Sequence, residues 1–177
     1  MPLNSNVRPS KVLRAAVTAV SLTAVVASSL AESLCTKGEV TYFSCNTAGG
    51  KVASLCGAKI EDRSTLPTYL QYRYGTIQEL ELVYPSTLTN STANFNGVYF
   101  SPAGEGLAAV VFNPGIFEYS IVGLHNSGGQ SFSGVQVMRG EVEVSRKACL
   151  EAPVLQSSGG VGFIQLSQGL EPLRAKR

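Results

Sequence analysis

Four cysteines, Cys35, Cys45, Cys56 and Cys149, offer the chain's most versatile chemistry. They can ligate a metal, act as nucleophiles or pair as disulfides. Their spacings of 10, 11 and 93 residues contain no C-x-x-C pair, and His125 is the only histidine. The pattern therefore favours two disulfides over a thiolate metal site. Each bridge contributes about 2–4 kcal/mol and leaves no thiol nucleophile. His125 sits between Leu124 and Asn126 at the start of a glycine-rich turn. A Ser-His-Asp site needs an acid partner, Asp62 is the only aspartate, and no G-x-S-x-G elbow is present. His125 thus reads as an exposed turn residue. Glu79 with Glu81, and Glu141 with Glu143, are spaced to share strand faces. Such pairs serve glycoside hydrolysis when they flank a cleft, and are otherwise ordinary solvent-facing positions. Tyr72, Arg73 and Tyr74, with Tyr69 nearby, form a candidate binding patch of types common at interface hot spots. Gly104-Glu105-Gly106 lacks the Lys-Ser/Thr and helix of a phosphate loop. The carboxylates are scattered, so nothing calls for a metal or cofactor. Asn90-Ser91-Thr92 fits a glycosylation sequon.

Residues 1–31 carry an address. Arg8, Lys11 and Arg14 precede an uncharged stretch, Ala15–Ala31, that ends in Ser29-Leu30-Ala31. A basic start, an apolar core and small residues at the exit make a secretory signal, with cleavage expected before Glu32. A membrane span needs about 20 strongly apolar residues. This stretch is shorter and is diluted by Thr18, Ser21, Thr23, Ser28 and Ser29. Leu34 before Cys35 is too large for a lipoprotein cysteine. Removing 31 of 177 residues leaves 146, with 11 Lys and Arg against 12 Asp and Glu, since the signal holds three cations and no acid. The basic balance of the full chain thus belongs to the signal, and no basic patch remains for nucleic acid. The remaining length suits one domain.

The rest of the chain reads as all-β. All eighteen glycines follow the cut and punctuate runs rich in Val, Ile, Phe, Tyr and Thr. Val40–Cys45 and Lys51–Cys56 form an expected hairpin with Gly49-Gly50 as a two-residue turn. Ala48 then faces Lys51, Cys45 faces Ser54, and Cys56 faces Phe43. Both cysteines lie on one face, which favours Cys45–Cys56 and, by remainder, Cys35–Cys149, although diagonal separations of roughly 7–8 Å are at the edge of reach. Tyr69–Tyr74 and Gln78–Tyr84 form a second hairpin. A three-residue loop sets Arg73 against Glu79, Gln71 against Glu81, Tyr72 against Leu80 and Leu70 against Leu82, sorting polar from apolar. The Arg73–Glu79 pair is expected to be solvated.

Further strands are expected near Gly97–Ser101, Leu107–Phe112, Phe117–Leu124, Phe132–Met138 and Glu141–Ser145. Turns fall at Asn113-Pro114-Gly115, Asn126-Ser127-Gly128-Gly129 and Arg139-Gly140. About 8–10 strands without crossover helices predict a single antiparallel β-sandwich or barrel, preceded by a signal-peptide helix. The disulfide-stapled domain spans 32–156. Residues 157–177 form a tail in which Ser157-Ser158-Gly159-Gly160 is a flexible joint, Val161–Leu166 a candidate edge strand, and Pro172–Arg177 a frayed end.

Cys35-x9-Cys45-x10-Cys56 contains Phe43-Ser44-Cys45, Gly50-Lys51 and Ser54-Leu55-Cys56. Tyr72-Arg73-Tyr74-Gly75 and Glu79-Leu80-Glu81-Leu82-Val83-Tyr84-Pro85 follow, and the pattern continues to Gly134-Val135 and Cys149. The stretch from Cys35 to Cys149 resembles an uncharacterised family of exported proteins from Gram-negative bacteria. That resemblance implies a periplasmic or secreted β domain with disulfides, and it brings no activity and no site residues. A looser similarity is to periplasmic C-type lysozyme inhibitors, whose signature includes Ser-Gly-x-x-Tyr. Here Ser127-Gly128-Gly129-Gln130-Ser131 ends in serine, and Ser133-Gly134 is followed by Val135-Gln136-Val137.

These features point to a non-enzymatic, macromolecule-binding or inhibitor-like module of the cell envelope. Its expected partner is an envelope or secreted protein or glycan, with no nucleic acid and no membrane span after cleavage. An envelope-glycan hydrolase using the glutamate pairs, and an architectural envelope protein, are the alternatives.

Overall fold

A computed structural model describes residues 32–61, 64–102, 106–127, 130–155, 162–170 and 172, without the side chains of 124–127 and 130. The expected signal at 1–31, Asp62, Glu105, the His125 side chain and the Ser157–Gly160 joint lie outside the described residues.

Among the described residues, nine strands form two antiparallel sheets. The first sheet holds β1 (Val40–Thr47), β2 (Lys51–Gly57), β3 (Leu70–Gly75) and β4 (Leu80–Tyr84) in that order. The second holds β5 (Phe95–Phe100), β6 (Gly106–Phe112), β7 (Glu118–Ser127), β8 (Gln130–Arg139) and β9 (Val142–Ala148). Within each sheet every strand pairs with its sequence neighbour through a short turn, except that the longer segment 58–69 joins β2 to β3. Gly115 and Gly140 take the left-handed backbone that two of those turns require. A short 3-10 turn, Ser91–Asn94, leads into the second sheet. The sheets pack face to face as a sandwich. Phe43, Leu55 and Tyr72 from the first meet Val110, Phe112, Ile121 and Val135 from the second in one core. Phe112 stacks on Tyr84 at 5.0 Å and on Tyr119 at 5.1 Å between ring centroids. Such pairs add about 0.5–1.5 kcal/mol beyond area burial.

The first hairpin differs from expectation by one residue. Thr47, not Ala48, pairs with Lys51, leaving Ala48-Gly49-Gly50 as the loop, and Tyr42 forms a bulge. Both glycines do take positive φ, at 79° and 68°. Cys45 now faces Ala53, and Cys56 faces Thr41. A one-residue slip puts the two cysteines on opposite faces, which corrects the expected pairing of Cys45 with Cys56 and of Cys35 with Cys149. The bridges are Cys35–Cys56 and Cys45–Cys149, with Cα separations of 5.3 and 5.5 Å. Cys45 points into the core and ties β1 to the end of β9. Cys56 points outward and fastens the N-terminal segment to the first sheet. Two disulfides in one domain indicate a non-reducing setting.

The second hairpin slides by four residues. Tyr72 pairs with Tyr84, Arg73 with Val83, and Tyr74 with Leu82, with an irregularity before Gly75 meets Leu80. An even slip preserves the faces, so the tyrosines still face inward. It removes the expected Arg73–Glu79 pair. Thr76 instead closes the loop, donating its N–H to the Glu79 carbonyl and accepting the Glu79 N–H on its hydroxyl.

The tail is also corrected. Phe163–Gly169, expected to begin in an edge strand, is a short helix, α1, with Phe163 and Leu166 fully buried and Leu170 nearly so. It belongs to the core of the 32–156 domain. Two glycines admit it. A Cβ on Gly123 would lie 2.5 Å from the Phe163 ring, and one on Gly97 would collide with the Ser167 carbonyl. Phe163 then packs 5.7 Å from Phe43. Helix periodicity was invisible because seven residues make barely two turns. Pro172, expected to be frayed, bridges Gly97 on the β5 edge. No helix among the described residues is long and apolar enough to cross a membrane.

Candidate functional site

The expected binding residues Tyr72, Arg73 and Tyr74 are consecutive on β3, so their side chains cannot all meet. Arg73 points to the outer face of the first sheet. There its guanidinium grips Glu39 with two hydrogen bonds of 2.7 and 2.8 Å, and donates to the Leu34 carbonyl and Gln71 Oε1. Both side chains are nearly buried, at 9% and 7% exposure. Burial would raise the Glu39 pKa, but hydrogen bonds from Arg73 and Thr36 and the charge of Arg73 outweigh it, and the carboxyl titrates below its ordinary value. Ser44 bonds the Glu32 carbonyl, and Leu34 N–H bonds Ser54 Oγ. This face is a closed polar seam under the N-terminal segment.

Tyr72 and Tyr74 point the other way, into a cleft of about 400 Å³ between the sheets. The cleft opens between β4 and β9, an edge of each sheet. β4 supplies Glu81 and Leu82. β9 supplies Val144, at the irregularity in its pairing, with Ser145 and Lys147, whose inward direction follows from their pairing with Val137 and Val135. Tyr119, Phe117 and the two valines of β8 complete the floor and wall.

Tyr72 is 1% exposed, yet its hydroxyl has no hydrogen-bond partner among the described residues. No solvent-inaccessible side-chain nitrogen or oxygen there is left unsatisfied. The Tyr72 hydroxyl therefore opens into the cleft it lines. The hydroxyls of Tyr74 and Tyr119 likewise have no described partner. Burial, and then the neighbouring Tyr74 and Tyr119, push the Tyr72 phenol far above its ordinary pKa. Burial also raises that of Tyr119. The two therefore remain neutral donors. Glu81 is committed to Lys51 at 2.8 Å, and Lys51 also lies 5.7 Å over the Tyr74 ring. Lys147 has no described anionic partner.

A second groove, about 390 Å³, crosses the outer face of the second sheet past Val98, Val111, Val122 and Phe132. Its Arg146 and Gln136 side chains are already engaged. Arg146 lies 4.9 Å over Phe132 and binds Glu143, which Gln136 also bonds. These contacts lower the Glu143 pKa, with the Arg146 hydrogen bond the largest cause.

The glutamate pairs are not gathered into one cleft. Of the four, only Glu81 lines the space between the sheets, and Glu143 faces the other groove through Arg146. In the sequon, Ser91 Oγ is buried between the Leu70 N–H and carbonyl, and Thr92 Oγ1 donates to Pro67. Among the described residues no group of three or more His, Cys, Asp or Glu could hold a metal ion. No family model, curated protein or solved structure matches the chain.

Sequence reasoning found Tyr72 and Tyr74 but missed Tyr119, Ser145 and Lys147. Tyr119 alternates with the buried Ile121, a signal visible in the chain. Lys147 carries no such signal, because its inward direction is set by pairing with Val135 after an irregularity between Val137 and Met138.

Proposed function

We propose that this chain is an exported, non-enzymatic binding module of the bacterial envelope or its exterior, and that it engages another macromolecule through the β4–β9 cleft. The observation that carries this reading is the Tyr72 hydroxyl, which has no partner among the described residues and lines a cleft bounded by two sheet edges. A native interior rarely leaves a tyrosine hydroxyl without a bond unless water or a ligand supplies one. Export is supported by the basic-apolar-small order of residues 1–31 and by the two disulfides.

Binding is favoured over glycan hydrolysis because the described cleft lining offers one carboxylate, Glu81, already paired with Lys51. Two carboxyl groups about 5–9.5 Å apart are needed for either glycosidase geometry. The test is capture from envelope extracts on the immobilised oxidised protein, run beside a glycan-turnover assay. A specific partner lost on Val144→Glu is the expected result, since Val144 is 46% exposed at the cleft. Glycan turnover without a captured partner would overturn the reading.

A further inference from the structure

We infer that the cleft takes the C-terminal end of an extended peptide, with an apolar last side chain on its floor and the free carboxylate at Lys147 and the tyrosine hydroxyls. This inference rests on the binding reading above and names the ligand's chemistry.

Charge is the first argument. Glu81 and Lys147 are the ionisable lining groups besides the phenols, and Lys51 pairs with Glu81 from beside the cleft. The three together leave one positive charge in excess, carried by Lys147, which has no anionic partner among the described residues. The lining polar groups without a partner among the described residues are three phenol hydroxyls, the Ser145 hydroxyl and an ammonium. All can donate, which suits an anionic acceptor, and a carboxylate accepts several such bonds. Raised pKa values keep the Tyr72 and Tyr119 phenols protonated and able to donate.

Shape is the second. Leu82, Phe117, Val135, Val137 and Val144 form an apolar surface beside those donors. About 400 Å³ is large enough for a bulky side chain together with its carboxylate.

The third argument is the backbone. The β1 edge is partly covered, since Ser44 and Val154 exchange main-chain bonds and the Leu150 N–H reaches Asn46. The β5 edge meets Pro172. β9 has no main-chain partner on its outer side among the described residues, and Val142 and Val144 are exposed there. An extended chain adding to β9 would form ladder bonds and send alternate side chains toward the cleft. That favours a peptide end over a free small acid of the same chemistry.

The test is titration of the oxidised protein with an acetylated hexapeptide of alternating serine and threonine ending in phenylalanine, read by calorimetry. Its C-terminal amide and N-acetyl-phenylalanine are titrated beside it. The expected order is peptide acid tightest, with the amide weaker by about tenfold, as the loss of one charge-assisted contact implies. Lys147→Ala should weaken the peptide acid about tenfold and leave the amide unchanged. Tyr72→Phe should weaken it a few-fold. Equal binding of acid and amide, or indifference to Lys147→Ala, overturns the carboxylate assignment. Equal binding of N-acetyl-phenylalanine and the hexapeptide overturns the peptide source in favour of a free acid. If no probe binds while extract capture remains sensitive to Val144→Glu, the ligand class is wrong and the binding module stands. If capture fails too, both fall.

Discussion

Tyr72 and Arg73 are adjacent on β3, yet they serve opposite sides of the first sheet. On the outer side, Arg73, Glu39, Gln71, Ser44 and Ser54 satisfy one another and the backbone of the N-terminal segment. On the inner side, the hydroxyls of Tyr72, Tyr74 and Tyr119 converge on a cleft without described partners. A buried charge survives only when its hydrogen-bonding capacity is met, so the outer seam is closed and structural. Unmet capacity beside an apolar floor is open to a ligand. Closure and openness separate scaffold from candidate site more sharply than residue type does, because arginine and tyrosine are both enriched at hot spots.

The two disulfides test this contrast with the largest expected effect. Cys45–Cys149 closes a separation of 104 residues across the sandwich, and Cys35–Cys56 one of 21 at the outer seam. Loop-closure entropy then predicts losses of about 4–5 kcal/mol for Cys45→Ala with Cys149→Ala, and about 3 kcal/mol for Cys35→Ala with Cys56→Ala. Denaturant unfolding checks both, and equal losses would remove the distinction. Arg73→Ala should cost about 3 kcal/mol in the same assay, because Glu39 is left charged and nearly buried. Adding Glu39→Ala should recover part of that loss, whereas strict additivity would show that the pair is uncoupled.

The acid limb follows from Glu39. Its folded pKa lies below its ordinary value of 4.5. Its contribution is therefore full above the ordinary carboxylate range and is lost as pH falls through the lowered value. The stability difference between the native chain and Glu39→Gln should hold near neutrality and shrink in acid, and a difference independent of pH would contradict the sign. The smallest expected effect is Tyr72→Phe, which should change stability within about 0.5 kcal/mol because no described group loses a bond. A loss comparable to that of Arg73→Ala would make the hydroxyl structural and dissolve the contrast.

Alternation decided much in advance. Leu70-Gln71-Tyr72-Arg73-Tyr74 separates two faces whichever partner lies opposite, so the four-residue slide of β4 moved Arg73 from Glu79 to Val83 without moving the tyrosines off the inner face. The hairpin of β1 and β2 was less forgiving. There an odd slip, set by a three-residue loop and a bulge at Tyr42, changed which cysteines could meet. Val161–Leu166 misled because a short apolar run suits strand or helix equally until its packing partners are known.

The sequence by itself determined the all-β class, the inward tyrosines of β3 and the presence of two bridges, because glycine punctuation, period-two alternation and an even cysteine count are local or compositional. Tertiary structure alone decided the disulfide pairing, the burial of Arg73 against Glu39, the helix at Phe163–Gly169 and the meeting of Tyr72, Tyr119 and Lys147 in one cleft. Each depends on register or on contacts between distant segments, which a single residue changes and no local pattern encodes.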